Sequence, residues 1–291
     1  MKPAAFKYHD PNRLSDVVEL LSTLENTRLL AGGQTLMPMM NFRYLMPDHL
    51  IDLNQVSELN YINIDGGYMT IGAMTRQRTL EFSKEVAKHC PIIVQALQYV
   101  GHRQTRNRGT IGGSLCHFDP GAELVNMTAL LDGTLEICSK SGSREVSIGE
   151  FNQGYLTTQI AEDEILSRVR LKLPGEKDGV GFVEFARRHG DFAIVACSCL
   201  MSLDAKGLIE SVKIAVSGLG AAPVRPHNVE MNLRGQAPTK SALIQAAHDV
   251  GQMESVSDAY VSAAYRQHLA RIMTYRALSQ AAKSAQEKTN D

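Results

Sequence analysis

The stretch TRLLAGGQT, residues 27–35, runs a short apolar segment straight into two adjacent glycines, Gly32 and Gly33. A second pair, Gly112 and Gly113, lies in GTIGGSLCHFDPGAEL, residues 109–124. Paired glycines let the chain turn with φ > 0, and they also let backbone N–H groups come close to a ligand. Taken singly, such a pair is more often only a turn. Gln34 and Thr35 follow the first pair, and Thr110 and Ser114 flank the second, so both segments carry side chains able to bond phosphate oxygens. Neither fits the common nucleotide fingerprints: no GxGxxG follows the first strand, and no GxxxxGK[ST] occurs. A nicotinamide Rossmann site and a P-loop are thereby disfavoured. What remains is a ligand with a diphosphate long enough for two separate segments to grip.

The flanking patterns place these segments. RLSDVVELLSTLE reads as an amphipathic helix with Ser15 as N-cap, TRLLAGG as a buried strand, and HLIDLNQV as a further strand closed by Asn54. YINIDGGYMTIGAMT is a hairpin turning at Asp65-Gly66-Gly67. PIIVQALQYV is a helix with Pro91 at N1, ending before Gly101. GTIGGSLCHFDPGAELVNMTALLD reads as loop then helix, and GTLEICSK as strand. After VRLKLP the pattern changes to longer strands, GVGFVEFARR, FAIVACSCLMSLD and IESVKIAVSGLG, with a boundary near Pro174 to Asp178 where Pro, Gly and charge cluster. A single long helix, SDAYVSAAYRQHLARIMTYRALSQAA, puts Tyr265, Leu269, Ile272 and Met273 on one stripe. The expectation is an α+β protein with units 1–55, 56–176 and 177–291.

Composition narrows the partners. Lys and Arg number 30 against 31 Asp and Glu, which removes any case from bulk charge for nucleic acid or an anionic membrane surface. No apolar run approaches the roughly 20 residues that span a bilayer, and the N-terminus lacks the apolar core of a signal peptide. Five cysteines without a CxxC read as reduced thiols of a cytoplasmic protein, with Cys197 and Cys199 as small core residues of a strand. The roughly four suitably spaced thiolates of an iron–sulfur cluster are not there.

Four segments in order, AGGQTLMP, RNRGTIGGSLCHFDPGAEL, ARRHGDFAIV and GLGAAPVRP, together with the C-terminal YRQHLARIMTYRAL, resemble the FAD-binding medium subunits of molybdenum hydroxylases. That family includes xanthine dehydrogenase, carbon monoxide dehydrogenase and quinoline oxidoreductase. The resemblance spans nearly the whole chain. It implies a vanillyl-alcohol-oxidase-type FAD-binding fold in two subdomains plus a C-terminal α+β domain. It implies non-covalent FAD, with a diphosphate clasped by Ala31, Gly32, Gly33, Gln34 and Thr35 and by Thr110, Ile111, Gly112, Gly113 and Ser114. Leu36 and Leu166 complete the cofactor set. Glu123, where relatives often carry Asp, would meet the ribityl or ribose, and Phe192 would lie near the isoalloxazine. Gln34-Thr35 replaces the His-Ser of many relatives. Molybdopterin and [2Fe-2S] clusters are expected on partners, a large molybdopterin-binding subunit and a small [2Fe-2S] subunit, in a heterotrimer or a dimer of heterotrimers. The chain would pass electrons from the clusters through FAD to an external acceptor.

Other readings of the same residues compete. Cys116, His117 and Asp119 could suggest metal ligands, but adjacent ligands point apart when extended. Cys116 with His117 could suggest a nucleophile pair or a covalent flavin tether, although adjacency supplies no oriented base. No residue is assigned as catalytic or as a metal ligand. GHRQTRNRG brings Arg103, Arg106 and Arg108 ahead of the second glycine pair, either as a solvated helix end or as a docking face or charge near the diphosphate. RRHGD, residues 187–191, is open in the same way. A self-sufficient flavin oxidase of the same fold is the alternative function; it would need a substrate pocket with a general base, and no such constellation stands out.

Overall fold

A computed structural model describes residues 1–290, the side chains of residues 289 and 290 excepted. Three sheets of three or more strands follow one another along the chain, besides a two-stranded ribbon of Asn152–Gly154 and Thr157–Thr158. The first is parallel, with His49–Asp52 between Lys7–His9 and Thr27–Leu30. Parallel strands need a crossover, and the helix Leu14–Thr23 provides one, burying Val17 and Leu21 in a core with Ile51 and Leu53. Ser15 does not cap this helix. Arg13 holds the N-cap position, and the Glu58 carboxylate accepts from the Leu14 N–H across 44 residues of sequence. A cap from so far away leaves no local signature.

The second sheet is antiparallel, in the order Ile62–Asp65, Tyr68–Gly72, Ile165–Lys172, Thr134–Ser139, Gly142–Ser147. Gly66 and Gly67, at φ 56° and 80°, turn its first hairpin in the left-handed region that suits the twist of two paired strands. Helices spanning 77–130 cover the sheet. Pro91 opens the helix Pro91–Leu97 at N1, and that helix stops at Leu97 instead of continuing towards Gly101. The second glycine pair brings a larger correction. GTIGGS is not a loop ahead of a helix, because Ile111–His117 is itself helical and Thr110 is its N-cap.

Residues 173–178 lead into the third sheet, the antiparallel meander Gly179–Phe185, Val195–Leu203, Ile209–Ser217. Its middle strand is buried at every position because both faces are covered. Val195, Cys197, Cys199 and Met201 pack with the long C-terminal helix Ala263–Asn290. Ala196 and Leu200, pointing the other way, join the core of the second sheet and its helix Glu123–Leu130. That helix is buried all round. Asn126 at its centre donates to the Ala215 carbonyl at 3.2 Å and to Ser217 Oγ at 2.8 Å, and it accepts from Ser198 Oγ. The C-terminal helix begins at Ala263, later than its sequence pattern suggests. Leu269 and Met273 are buried as expected and Ile272 is partly buried, but Tyr265 is 43 % exposed. Small residues, Ala270, Ala277, Ala281 and Ala285, form the contact instead. Two further helices, His227–Leu233 and Lys240–Val250, fill a stretch to which the sequence pattern assigns no element. Among the described residues no helix is long and apolar enough to cross a membrane.

The alanine face works because the opposing strand has no side chains there. A Cβ on Gly181 would lie 2.2 Å from the Ala277 carbonyl oxygen, so Gly181→Val must force strand and helix apart. We expect a loss of about 1–3 kcal/mol or more, read as a lower urea midpoint. Gly149→Ala, where a Cβ meets nothing within 4 Å, should leave the midpoint unchanged.

Candidate functional site

The strand Thr27–Leu30 ends in a bend that Gly33 makes at φ 71°. Gly32 is required for another reason. A Cβ there would lie 2.3 Å from the Arg108 carbonyl oxygen and 2.8 Å from Gly109 Cα. The first glycine segment is therefore pressed against the residues that lead into the second. Arg76 secures the contact by donating to the Arg108 carbonyl and to the Asn54 side chain. Asn54 in turn donates to the Ala31 carbonyl at 3.2 Å, and its own N–H is held by Asp52 at 2.9 Å. Neither Arg76 nor Asn54 has a sequence signal beyond Asn54 ending a strand.

These bonds occupy carbonyl groups. Among the described residues, the N–H groups of Gly32, Gly33, Gln34 and Thr35 find no protein acceptor. A run of unclaimed N–H groups suits an anion. The second segment differs. The Ile111 N–H bonds the Thr75 carbonyl at 3.1 Å, the Gly112 N–H bonds the Ala73 carbonyl at 2.9 Å, and the Gly113 N–H bonds Thr110 Oγ1 at 3.0 Å. Its backbone donors are already used. What it offers is a floor without side chains, since Gly113 faces Ala31 Cβ at 3.8 Å, and the Ser114 hydroxyl beside it.

One cleft of about 710 Å³ gathers the candidate residues. Ala31, Gly32, Gly33, Gln34, Thr35 and Leu36 line it on one side, and Thr110, Gly112, Gly113 and Ser114 on another. Glu123, Leu166 and Phe192 also reach it. Ile111 does not: it is 1 % exposed and points into the core. Arg28 is the single Lys or Arg of the lining, so backbone dipoles and hydroxyls, and few ion pairs, are available to a phosphate there. Gln77 adds a buried Oε1 that has no hydrogen-bond partner among the described residues and lines the same cleft.

Burial holds several titratable groups in or beside the cleft towards their uncharged forms. Burial pushes the Glu123 carboxyl up to about 8, with the charge of Glu184 adding to the effect. Burial likewise raises Glu184 to about 7. Cys116 is exposed onto the cleft, yet its depth among protein atoms pushes its thiol up to about 12. It is a poor nucleophile in that state. Burial lowers the His117 pKa, and Asp119 only partly offsets this. Among the described residues no three His, Cys, Asp or Glu side chains group as metal ligands do.

Arg106 corrects one open reading of the basic stretch. It is buried, donates to both Glu81 carboxylate oxygens at 2.9 and 3.1 Å, and donates to the Val100 carbonyl at 2.9 Å. Burial opposes the charge on Glu81, but hydrogen bonds from Arg106 and Arg78 outweigh it and lower the pKa. Arg106 is a strut inside the helical layer. Arg103 and Arg108 are exposed.

Glu123 makes stability depend on pH. Its folded-state pKa, about 8, lies above the ordinary value of 4.5, so its favourable contribution is complete below the lower value. That contribution is lost as pH rises towards the upper one. Glu184 acts in the same direction. The stability of the cofactor-free chain, read through its urea midpoint, should fall between these limits by on the order of a few kcal/mol, and Glu123→Gln should flatten the slope. An unchanged slope in the variant would show that Glu123 is not the group responsible.

The cleft can be set beside known proteins. The model for the FAD binding domain in molybdopterin dehydrogenase matches residues 4–174, and that for the CO dehydrogenase flavoprotein C-terminal domain matches residues 181–281. The 6-hydroxypseudooxynicotine dehydrogenase complex subunit alpha of Paenarthrobacter nicotinovorans is 34% identical over 283 residues, covering 97% of this chain and 96% of its own. The carbon monoxide dehydrogenase medium chain of Hydrogenophaga pseudoflava is 32% identical over 284 residues, covering 97% and 98%. The crystal structure of quinoline 2-oxidoreductase from Pseudomonas putida 86 superposes with a TM-score of 0.94 at 35% identity, covering 98% of this chain and 99% of that one. With both halves of the sequence matched and the full-length fold shared, this chain belongs to the FAD-binding medium subunits of the molybdenum hydroxylase family.

Proposed function

We propose that FAD lies in the cleft between the glycine segments, and that the chain relays electrons from [2Fe-2S] clusters of a small partner subunit to an external acceptor. A large molybdopterin-binding subunit would oxidise the organic substrate. One observation carries the reading: four successive unclaimed N–H groups, Gly32 to Thr35, belong to residues that line the same cleft as Gly112 and Gly113, a cleft with one basic side chain. The relatives support assembly, since they are subunits or medium chains of larger enzymes. A heterotrimer, or a dimer of heterotrimers, is the arrangement proposed for this chain. The proposed units are 1–55 and 56–176, which together hold the cofactor, and 177–291, which carries Phe192.

In this reading each residue has a physical task. The N–H groups of Gly32, Gly33, Gln34 and Thr35 hold the diphosphate, joined by the Ser114 hydroxyl. Ala31, Leu36 and Leu166 give apolar contact. Thr110 caps the helix and keeps Gly113 bare, while Ile111 braces the turn from the core side. Glu123 meets a hydroxyl of the ribityl or ribose with the acceptor capacity its carboxyl has to spare. Phe192 stands at the flavin ring. When bound, FAD supplies the redox chemistry that accepts and passes on electrons. The residues bind it, orient it and shield it.

Gly33→Val meets a backbone at φ 71° that a β-branched residue resists, and Gly113→Val places Cβ 3.0 Å from the capping Thr110 Oγ1. Both variants, assembled in the complex, should lose FAD while the far-ultraviolet spectrum stays that of a folded chain. Each diphosphate bond lost is worth roughly 1.5–3 kcal/mol. Wild-type flavin content in both variants would refute the cleft assignment. In the native complex, acid precipitation should release the flavin intact, and flavin left in the pellet would point to a covalent link. The isolated chain should not oxidise the organic substrate of the complex. Adding the metal-bearing subunits back should restore anaerobic bleaching of the flavin band by substrate. Bleaching by the isolated chain would favour a self-sufficient oxidase.

A further inference from the structure

Outside the cleft, the molecule carries one concentration of positive charge that the proposed function leaves unused. The loop ahead of Phe192 contains Arg187, Arg188 and His189, all exposed. Gly190, at φ 89°, lets that loop settle on residues 101–102: a Cβ there would lie 3.0 Å from His102 Cε1 and 3.1 Å from the Gly101 carbonyl. The rings of His102 and His189 come within 6.3 Å. Arg103, exposed on the next residue, is brought to the same place. Two stretches far apart in sequence thus form one cationic surface. Among the described residues, Arg103, Arg187 and Arg188 pair with no carboxylate. Asp191 is the one acid of the loop, and Asp258 nearby is already paired with Arg266. Charge gathers here although the chain as a whole is at −1.

Exposed aromatic rings continue the surface. Arg187 lies 5.1 Å from the centre of the Tyr260 ring, which is 80 % exposed. Phe185 meets Tyr265 edge-on at 6.4 Å, and Tyr265 stacks with His268 at the same spacing. Phe192, 52 % exposed, joins this surface to the cleft. Arginine with aromatic side chains is the composition enriched in protein interfaces. The rings spread beyond the cleft, over more area than a small anion covers. Unpaired, solvated arginines suit a transient partner, because burying them in a permanent interface would cost their desolvation. Their field would instead steer an oppositely charged protein.

We propose that this face, His102–Arg103 with residues 185–192 and the rings of Tyr260 and Tyr265, docks an acidic electron-carrier protein that serves as the external acceptor. The inference rests on the reading of the cleft as the FAD site. For each substrate oxidised by two electrons, two oxidised carriers would each take up one electron, and the protons would leave to solvent. Phe192 would lie between carrier and cofactor. Small size and salt sensitivity are the expected marks of such an encounter.

The test uses the intact complex, with FAD and metal content measured first, and an oxidised acidic [2Fe-2S] ferredoxin as probe in titration calorimetry. Binding should weaken at least about tenfold between about 50 and 300 mM salt. R103E/R188E should weaken low-salt binding by about tenfold or more, with subunit assembly and FAD content unchanged. A basic cytochrome c should not bind. Wild-type affinity in the double variant would overturn the proposal. Failure of the variant to assemble would also overturn it, by showing that a permanent subunit covers the face. Equal binding of a single-stranded oligonucleotide, lost in the same variant, would identify a general anion patch and overturn it too. Absence of FAD from the wild-type complex would instead refute the reading of the cleft.

Discussion

The contact between Gly32 and the backbone of Arg108 and Gly109 sets the geometry on which the cleft depends. At 2.3 Å from a carbonyl oxygen there is no room for even a methyl group. The segment that follows the first sheet and one from the helical layer over the second are therefore held at backbone distance, and Arg76 ties them through Asn54 and the Arg108 carbonyl. Because these bonds use carbonyls, they leave the N–H side of residues 32–35 available. The contact that presses the first glycine segment against the helical layer thus leaves the donor set free. The two glycine segments are not equivalent halves of a clasp: one offers N–H groups, while the other, with its N–H groups already bonded, offers bare surface and hydroxyls.

A second constraint runs through the helix Glu123–Leu130. It is buried on every side because it fills the space between the second and third sheets. Such a helix cannot be amphipathic, and its polar residues must find partners inside. Asn126 does, by bridging to Ser198, Ser217 and the Ala215 carbonyl. Glu123, at its start, has only its own backbone N–H near its carboxyl, which is left against the cleft with a raised pKa. A buried carboxyl facing the cleft with spare acceptor capacity is suited to a ligand hydroxyl. The unpartnered Gln77 Oε1 fits the same account.

Charge is distributed by the same logic. The cleft holds one arginine, while unpaired arginines stand outside it beside Phe192. A phosphate bound by N–H dipoles leaves the arginines free for the surface. Arg106 shows the contrast, since a cation of the same stretch as Arg103 is consumed in a buried pair with Glu81.

Much was legible in the sequence. Glycine pairs after an apolar run, Pro91 at a helix start, the Asp65-Gly66-Gly67 turn and the alternation of the third sheet are local signals, and each acts over a few residues. The family followed from four such segments in order, and the residues named for a cofactor, Ile111 excepted, line one cleft. What the sequence could not determine involves groups far apart in the chain. Glu58 capping the first helix, Arg76 and Asn54 binding the first glycine segment, and Gly181 admitting the Ala277 backbone are contacts between distant residues. The helical state of Ile111–His117 was hidden for a related reason. Glycine is a poor helix former, and this turn is held by Thr110 and by carbonyls of Ala73 and Thr75 in the loop after the strand Tyr68–Gly72. The sequence by itself determined which short stretches could turn, cap and bury. Only the tertiary structure decided which N–H groups were left unbonded and which arginines were left unpaired, because a hydrogen bond or ion pair depends on a partner that the local chain does not contain.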